Sequence, residues 1–374
     1  MTSPVASPGS LPAVLALALG VVVHANGAHA QSHRSGGDGT IYISAYDGTI
    51  RIIDEATLEE VDRIETAAQI PDDIQLSYDG TLLYVEDAEG DRFEVVDIAR
   101  RSSVGTHSLS RGPSTVRING FTPSPDDTYA IMFVREYIKL PDRYEIGDPV
   151  MLKYDLVNGA VADTLDFPDG EVQSASIIFA PDGEHVYYDA GDLIVLETGN
   201  FTEVDRWEIT DAWEPGLGRL SFGFPDNPYD EEGIYTGLFR TTDPVQNREL
   251  MGIARVDLEA REIDFYTLGP SESVEFRMAP GGTKAYGLSE QIGRYEFLTF
   301  DLVNRRLERR TQFPGRPRMS LGVSTNGELL YIYTAGNTID VYDAGTYEHL
   351  RQVQLDADMN SFLLVPQGSP AADR

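Results

Sequence analysis

Seven short β-type runs along the chain each end on an acidic residue: RIID at Asp54, EVVD at Asp97, LKYD at Asp155, IVLE at Glu197, ARVD at Asp257, LTFD at Asp301 and DVYD at Asp343. The successive gaps are 43, 58, 42, 60, 44 and 42 residues, a base period near 43 with two insertions. Repeats of this length mark circular arrays of four-stranded units. One such unit cannot bury both faces of its sheet alone, so neighbours stack face to face and the array closes around a central channel. The sequence therefore predicts an all-β fold, a seven-bladed β-propeller, as a single domain over residues 39–366.

The unit at residues 74–108 reads most cleanly. It gives an inner strand at 74–78, an Asp79-Gly80 turn, TLLYVE over 81–86, RFEVVD over 92–97 and a polar outer strand over 103–109. Asp-Gly suits a two-residue hairpin whose central positions both take positive φ. Equivalent turns are Ser124-Pro125-Asp126-Asp127, Ala180-Pro181-Asp182-Gly183, Ala279-Pro280-Gly281-Gly282 and Ser324-Thr325-Asn326-Gly327, while the fifth unit has a degenerate stretch over 225–232. GTIYISA at 39–45 opens on a second-type strand with no inner strand before it. The late run SFLLV at 361–365 is predicted to supply that strand, pairing the C-terminus with the N-terminal blade and removing exposed sheet edges.

Residues 11–23 are apolar and precede Ala28-His29-Ala30, a small-x-small cleavage signal, so 1–30 reads as a secretory signal peptide and the protein as periplasmic, although no Lys or Arg precedes the apolar stretch. Residues 31–38 and 367–374 read as flexible tails. With no cysteine, the chain offers no disulfide, thiolate metal site or thioether anchor for haem c. The formal charge of −32 opposes nucleic-acid binding. Such an acidic, Lys-poor surface fits either a salt-tolerant source or ordinary solubility charge.

The acidic strand ends read as acceptors for turn N–H groups, not as catalysts. The two insertions point elsewhere. They fall between second and third strands, at 135–149 in the third unit and 240–250 in the fifth, and that connection lies on one ring face in every blade. Long connections on a rigid scaffold are where binding concentrates. Arg135, Tyr137, Ile138, Leu140, Arg143 and Tyr144 in the first, with Arg240, Asp243, Gln246 and Arg248 in the second, form the candidate interface. The alternative is that they pack on their own blades. Asp72, Asp73, Arg117, Glu171, Arg219, Glu275, Arg277 and Arg318 open the inner strands on the same face, so they form either a ligand-binding channel mouth or a solvated ion-pair network.

Familiar chemistry is missing. His107, His185 and His349 fall on different units without metal-ligand spacing, and no nucleophile elbow, phosphate loop or dinucleotide fingerprint occurs. Trp207 and Trp213 sit at an outer strand and the loop after it, where packing accounts for them. A metal-dependent lactonase, the less favoured alternative, would place carboxylates and Asn in the channel, and a mouth as rich in Arg as in acid weakens that reading.

Strand wording adds a resemblance. Leu82-Leu83-Tyr84-Val85 after its turn resembles YVTN-type propellers. GFTPSPDDTYAIMFVREYIKLPDRYEIGDPVMLKYD (120–155), ELMGIARVDLEAREIDFYTL and LGVSTNGELLYIYTAGNTIDVYDAGTYEHLRQVQL are similar, in order and loop placement, to the β subunit of quinohemoprotein amine dehydrogenase, a family more distantly related to the methylamine dehydrogenase heavy chain. That resemblance implies a periplasmic seven-bladed scaffold that helps wall an amine pocket. It implies no cofactor in this chain: a tryptophan-derived quinone would sit on a small partner subunit and haem c on a haem-bearing one. The family has no short catalytic motif, so no catalytic residue carries over. A stand-alone extracytoplasmic propeller binding a protein or ligand is the alternative reading.

Overall fold

The computed structural model describes residues 34–189, 191–209, 220–222, 228–333 and 336–367. The signal peptide expected at 1–30 and the tail from 368 onward lie outside them. All regular structure among the described residues is strand, in seven four-stranded antiparallel sheets. From the inner strand outward, blade 1 holds Met359–Val365, Thr40–Ala45, Thr49–Asp54 and Glu59–Glu65. Blade 2 holds Pro71–Leu76, Leu82–Asp87, Arg92–Asp97 and Ser102–Ser108. Blade 3 holds Ser114–Pro123, Tyr129–Lys139, Tyr144–Asp155 and Ala160–Leu165; blade 4 holds Ser176–Phe179, His185–Asp189, Leu193–Glu197 and Glu203–Trp207. Leu220–Phe222, Ile234–Asp243, Arg248–Asp257 and Glu262–Pro270 make blade 5, and Val274–Met278, Lys284–Gln291, Arg294–Asp301 and Arg306–Phe313 make blade 6. Ser320–Val323, Leu329–Tyr333, Thr338–Asp343 and His349–Gln354 complete blade 7.

Second and third strands are apolar on both faces because each blade is sandwiched between two others. In Arg92–Asp97, Phe93 and Val95 pack toward blade 3, while Val96 packs toward blade 1. The same interleaving joins each blade to the next, and Leu329, Tyr331 and Tyr333 of blade 7 pack with Ile41, Ile43 and Ile53 of blade 1. Outer strands bury little: Glu59–Glu65 is mostly exposed around Ile64.

The late strand behaves as the sequence predicts. Met359–Val365 runs antiparallel to Thr40–Ala45 with Ile41 opposite Leu364 and Ile43 opposite Phe362. The junction is also held by polar groups. Glu55, fully buried, accepts bonds from Gly39 N (2.9 Å), Thr325 N (3.0 Å), Tyr331 OH (3.0 Å) and the Thr325 hydroxyl. Residues 34–38, read from sequence as part of a flexible tail, lie along blade 7: Gly36 O and Ser35 O accept bonds from Asn326, and Arg34 pairs with Asp343.

Two sequence expectations are corrected. The first-to-second-strand turns of blades 2, 3, 4, 6 and 7 are four-residue loops, not two-residue hairpins, and among them only blade 6, at Gly281 and Gly282, has two left-handed residues. In blade 2, Ser77 N bonds Leu82 O across four residues, Gly80 N bonds Ser77 O, and only Gly80 has positive φ (71°). A Ser77 hydroxyl bonded to Asp79 (2.8 Å) and Asp79 bonded to Thr81 N (2.9 Å) hold the first half of the loop in ordinary φ. The insertions, expected as loops, are instead ladder extensions. Tyr129–Lys139 and Tyr144–Asp155 stay paired out to Lys139 opposite Tyr144, and Ile234–Asp243 and Arg248–Asp257 out to Asp243 opposite Arg248. In blade 3 the inner strand runs alongside the extension, with Ser114 opposite Ile138, and so gives the inserted residues ladder partners.

Candidate functional site

One face of the molecule is defined by contacts between second-to-third-strand connections and the starts of inner strands. Gly90 O accepts Ile118 N (2.7 Å), Tyr46 N donates to Asp358 O (2.9 Å), and a Glu290 carboxylate oxygen accepts Arg318 N (2.5 Å). Since all blades share one strand order, both ladder extensions project from this face.

In blade 3 the extension is three-stranded, because Ser114–Pro123 joins it with Ser114 opposite Ile138 and Arg117 opposite Arg135. Leu140 N bonds Arg143 O (2.8 Å) at the tip. Arg135 Nε donates to Gly147 O (2.8 Å) across a register shift, and Arg117 lies over the Tyr137 ring at 5.6 Å. Tyr137, Ile138 and Leu140 are half-buried. Tyr144 and Ile146 are 58% and 57% exposed, so no described residue packs over them fully. Arg143 is held between Asp142 (3.2 Å) and Glu145 (3.0 Å).

In blade 5, Asp243 Oδ1 caps the tip by accepting Val245 N (3.0 Å) and Gln246 N (3.1 Å), and its other oxygen pairs with Arg248 (3.5 Å). Arg240, Val245, Gln246 and Arg248 are exposed. The structure thus splits the predicted interface: Asp243 shapes its turn and Arg135 its register shift, while Tyr144, Arg240, Gln246 and Arg248 are exposed, as are Ile146 and Val245 beside them.

Several of the predicted mouth residues are engaged at blade junctions. Asp72 accepts a bond from Asn360 Nδ2 (2.6 Å) at the blade 1–2 junction. Glu275 and Arg277 pair at 2.7 Å and together clamp Leu321 of blade 7, Glu275 taking its N–H (3.1 Å) and Arg277 Nε donating to its carbonyl (3.1 Å). Burial pushes the Glu275 carboxyl up, against the pull of Arg277. Glu171 is exposed ahead of blade 4, and Arg219 lies outside the described residues. Beside Asp72 and Asp73, Glu86 is pushed up to about 7, first by burial and then by those two carboxylates.

A buried polar set escaped the sequence reading. Three residues before the acidic strand end, blades 3 to 6 carry Leu152, Ile194, Ala254 and Leu298, whereas blades 1, 2 and 7 carry Arg51, Glu94 and Asp340. Each holds the chain segment entering its blade. Arg51, fully buried, pairs with Asp356 as well as Asp47 (2.5 Å) and Glu60 (3.1 Å). Glu94 accepts Ala67 N (2.7 Å) and Ala68 N (3.3 Å), and Asp340 pairs with Arg316 (2.5 Å). A charge interrupting an apolar strand at one repeat position was the available signal.

Each predicted histidine is engaged locally: His107 stacks on Phe93 and meets Tyr154 OH (3.1 Å), His185 meets Asp182 (2.7 Å) and His349 meets Asp340 (3.1 Å). Trp207 packs edge-on against Tyr187, and Trp213 lies outside the described residues. Among the described residues no three His, Cys, Asp or Glu are grouped to hold a metal ion, and no helix is long and apolar enough to cross a membrane.

No protein-family model and no curated protein sequence matches the chain. Solved structures do. A dihydro-heme d1 dehydrogenase, NirN, in complex with DHE aligns with TM-score 0.53 and 14% identity over 89% of this chain and 76% of its own. A functionally unknown protein from Desulfotomaculum acetoxidans DSM 771 aligns with TM-score 0.53 and 13% identity over 88% and 99%. Kuenenia stuttgartiensis hydrazine synthase aligns at 0.49 and 15% over 89% and 99%. The first two likenesses agree with the strand order observed directly, and at these identities what they establish is the fold: this chain is a seven-bladed β-propeller.

Proposed function

We propose that this chain is the non-catalytic propeller scaffold of a periplasmic amine dehydrogenase that oxidises primary amines, with a quinone on a small partner subunit and haem on another. The observation that carries this reading is the pair of ladder extensions on one face, which leave Tyr144, Ile146 and Val245 in solvent. Ordering strands beyond the packed blades costs conformational entropy that exposed side chains do not repay until a second surface covers them. Similarity of strand wording to the amine dehydrogenase β subunit supplies the partners' chemistry. A shared fold with a protein named as a dihydro-heme d1 dehydrogenase is consistent with a scaffold used in haem-linked oxidation. Redox groups on other chains also suit a propeller without cysteine.

Affinity isolation of the tagged chain from its native host tests this. The expected product is a complex containing a haem-bearing chain, a chain that stains for quinone, and amine-dependent dye reduction. Recovery of the propeller alone would overturn the proposal.

A further inference from the structure

Resting on that reading and refining it, we infer that the face carrying the second-to-third-strand connections docks a net-positive protein through apolar tips contributed by four blades. Tyr46 of blade 1, Tyr144 and Ile146 of blade 3, Val245 of blade 5 and Ile292 of blade 6 are all exposed, Ile292 fully. All five lie in or beside those connections. The connections on the opposite face expose Tyr78, Val157 and Val303, the last two single valines in tight turns. Isolated surface apolar residues are ordinary, and Tyr46, Val245 and Ile292 each sit singly in a short turn, but Tyr144 and Ile146 are raised together on paired strands and all five share one face, positioned to meet a second surface together.

The charge of the partner follows from that of the chain. At −32, any acidic protein would be repelled on approach, whereas a basic one is steered in. Of the cations nearest the tips, Arg143 is paired with Asp142 and Glu145 and Arg248 with Asp243; Lys139, opposite Tyr144, and Arg240 are exposed, but two such charges do not reverse the sign of a chain at −32. Apolar tips then supply the contact that persists after encounter.

Hydroxyl-radical footprinting of the tagged full chain tests the inference, comparing material isolated from its host at about 50 mM salt with material stripped at about 1 M, where screening removes the steering. Labelling of Tyr46, Tyr144 and Ile292 is expected to fall about ten-fold in the low-salt assembly, with Tyr78 unchanged and with an attached chain of basic composition. Tyr144→Ser with Ile146→Ser is expected to weaken that association about ten-fold, and Val157→Ser with Val303→Ser less than about two-fold. Protection on the Tyr78 face, protection by an acidic partner, or unassociated chain with fully labelled tips would each overturn it. A basic partner lacking quinone and haem that protects the tips upholds the docking face and sinks the amine dehydrogenase reading; a redox partner protecting the other face does the reverse.

Discussion

Asp54 and its six counterparts show how one residue type can be placed by turn physics alone. Asp54, Asp97, Asp155, Asp257, Asp301 and Asp343 each accept the backbone N–H three residues on, at 2.7–3.0 Å. Glu197, one methylene longer, instead accepts Asn200 Nδ2 (2.9 Å). What the repeat did not reveal is the next step: the residue four on is left-handed in every blade, yet only Gly159 is glycine. Leu58 and Tyr347 occupy that strained position because their side chains are buried, and Arg101, Arg261 and Arg305 because each reaches an Asp on the preceding blade. Glu55 is the residue whose loss costs most by this logic. Glu55→Gln keeps one acceptor and turns an NH2 toward donors, so urea unfolding is expected to show a loss of about 2–4 kcal/mol, against about 1 for Tyr331→Phe. Glu86, at about 7, and Asp127, pushed up to about 6 by burial, set a pH dependence. Both bind their proton more tightly folded than unfolded, so stability is full below about pH 4 and declines as pH rises through about 6 to 7. Denaturation midpoints between pH 4 and 8 should therefore fall, and Glu86→Gln with Asp127→Asn should flatten the curve. A midpoint that rises across this range would refute the assignment.

At the level of the element, turn location was readable and turn geometry was not. Asp-Gly and its equivalents mark where each hairpin reverses, but the sequence does not count how many residues leave the ladder, because that depends on where the flanking strands stop pairing. Gly183 carries positive φ (69°) with open space around its Cβ position, so Gly183→Ala is expected to cost about 1 kcal/mol through strain alone. Gly199→Ala, also uncrowded but without positive φ, is the control and should change the thermal midpoint little. The extensions of blades 3 and 5 were legible as inserted length but not as strand. Whether inserted residues pair or wander is decided by a neighbour: in blade 3 the inner strand Ser114–Pro123 lengthens to match.

Across the whole molecule, joining the two ends matters most. Met359–Val365 completes blade 1, and Arg51 with Asp356 fixes the segment entering it. A chain ending at residue 358 would leave the inner edge of Thr40–Ala45 unpaired, and is expected to lose cooperative unfolding and to aggregate by light scattering. A monomeric, cooperatively melting truncation would refute that role. The sequence by itself determined the blade number, the order of strands and the strand that joins C-terminus to N-terminus, because periodicity and missing-partner arguments are local and additive along the chain. Only the tertiary structure decided that Glu275 and Arg277 serve a blade junction, that Arg51, Glu94 and Asp340 hold incoming segments, and which tips stay uncovered. Those outcomes depend on residues of different strands and blades, from 24 positions apart for Arg316 and Asp340 to 305 for Arg51 and Asp356, being brought within bonding distance, and one-dimensional spacing does not encode them.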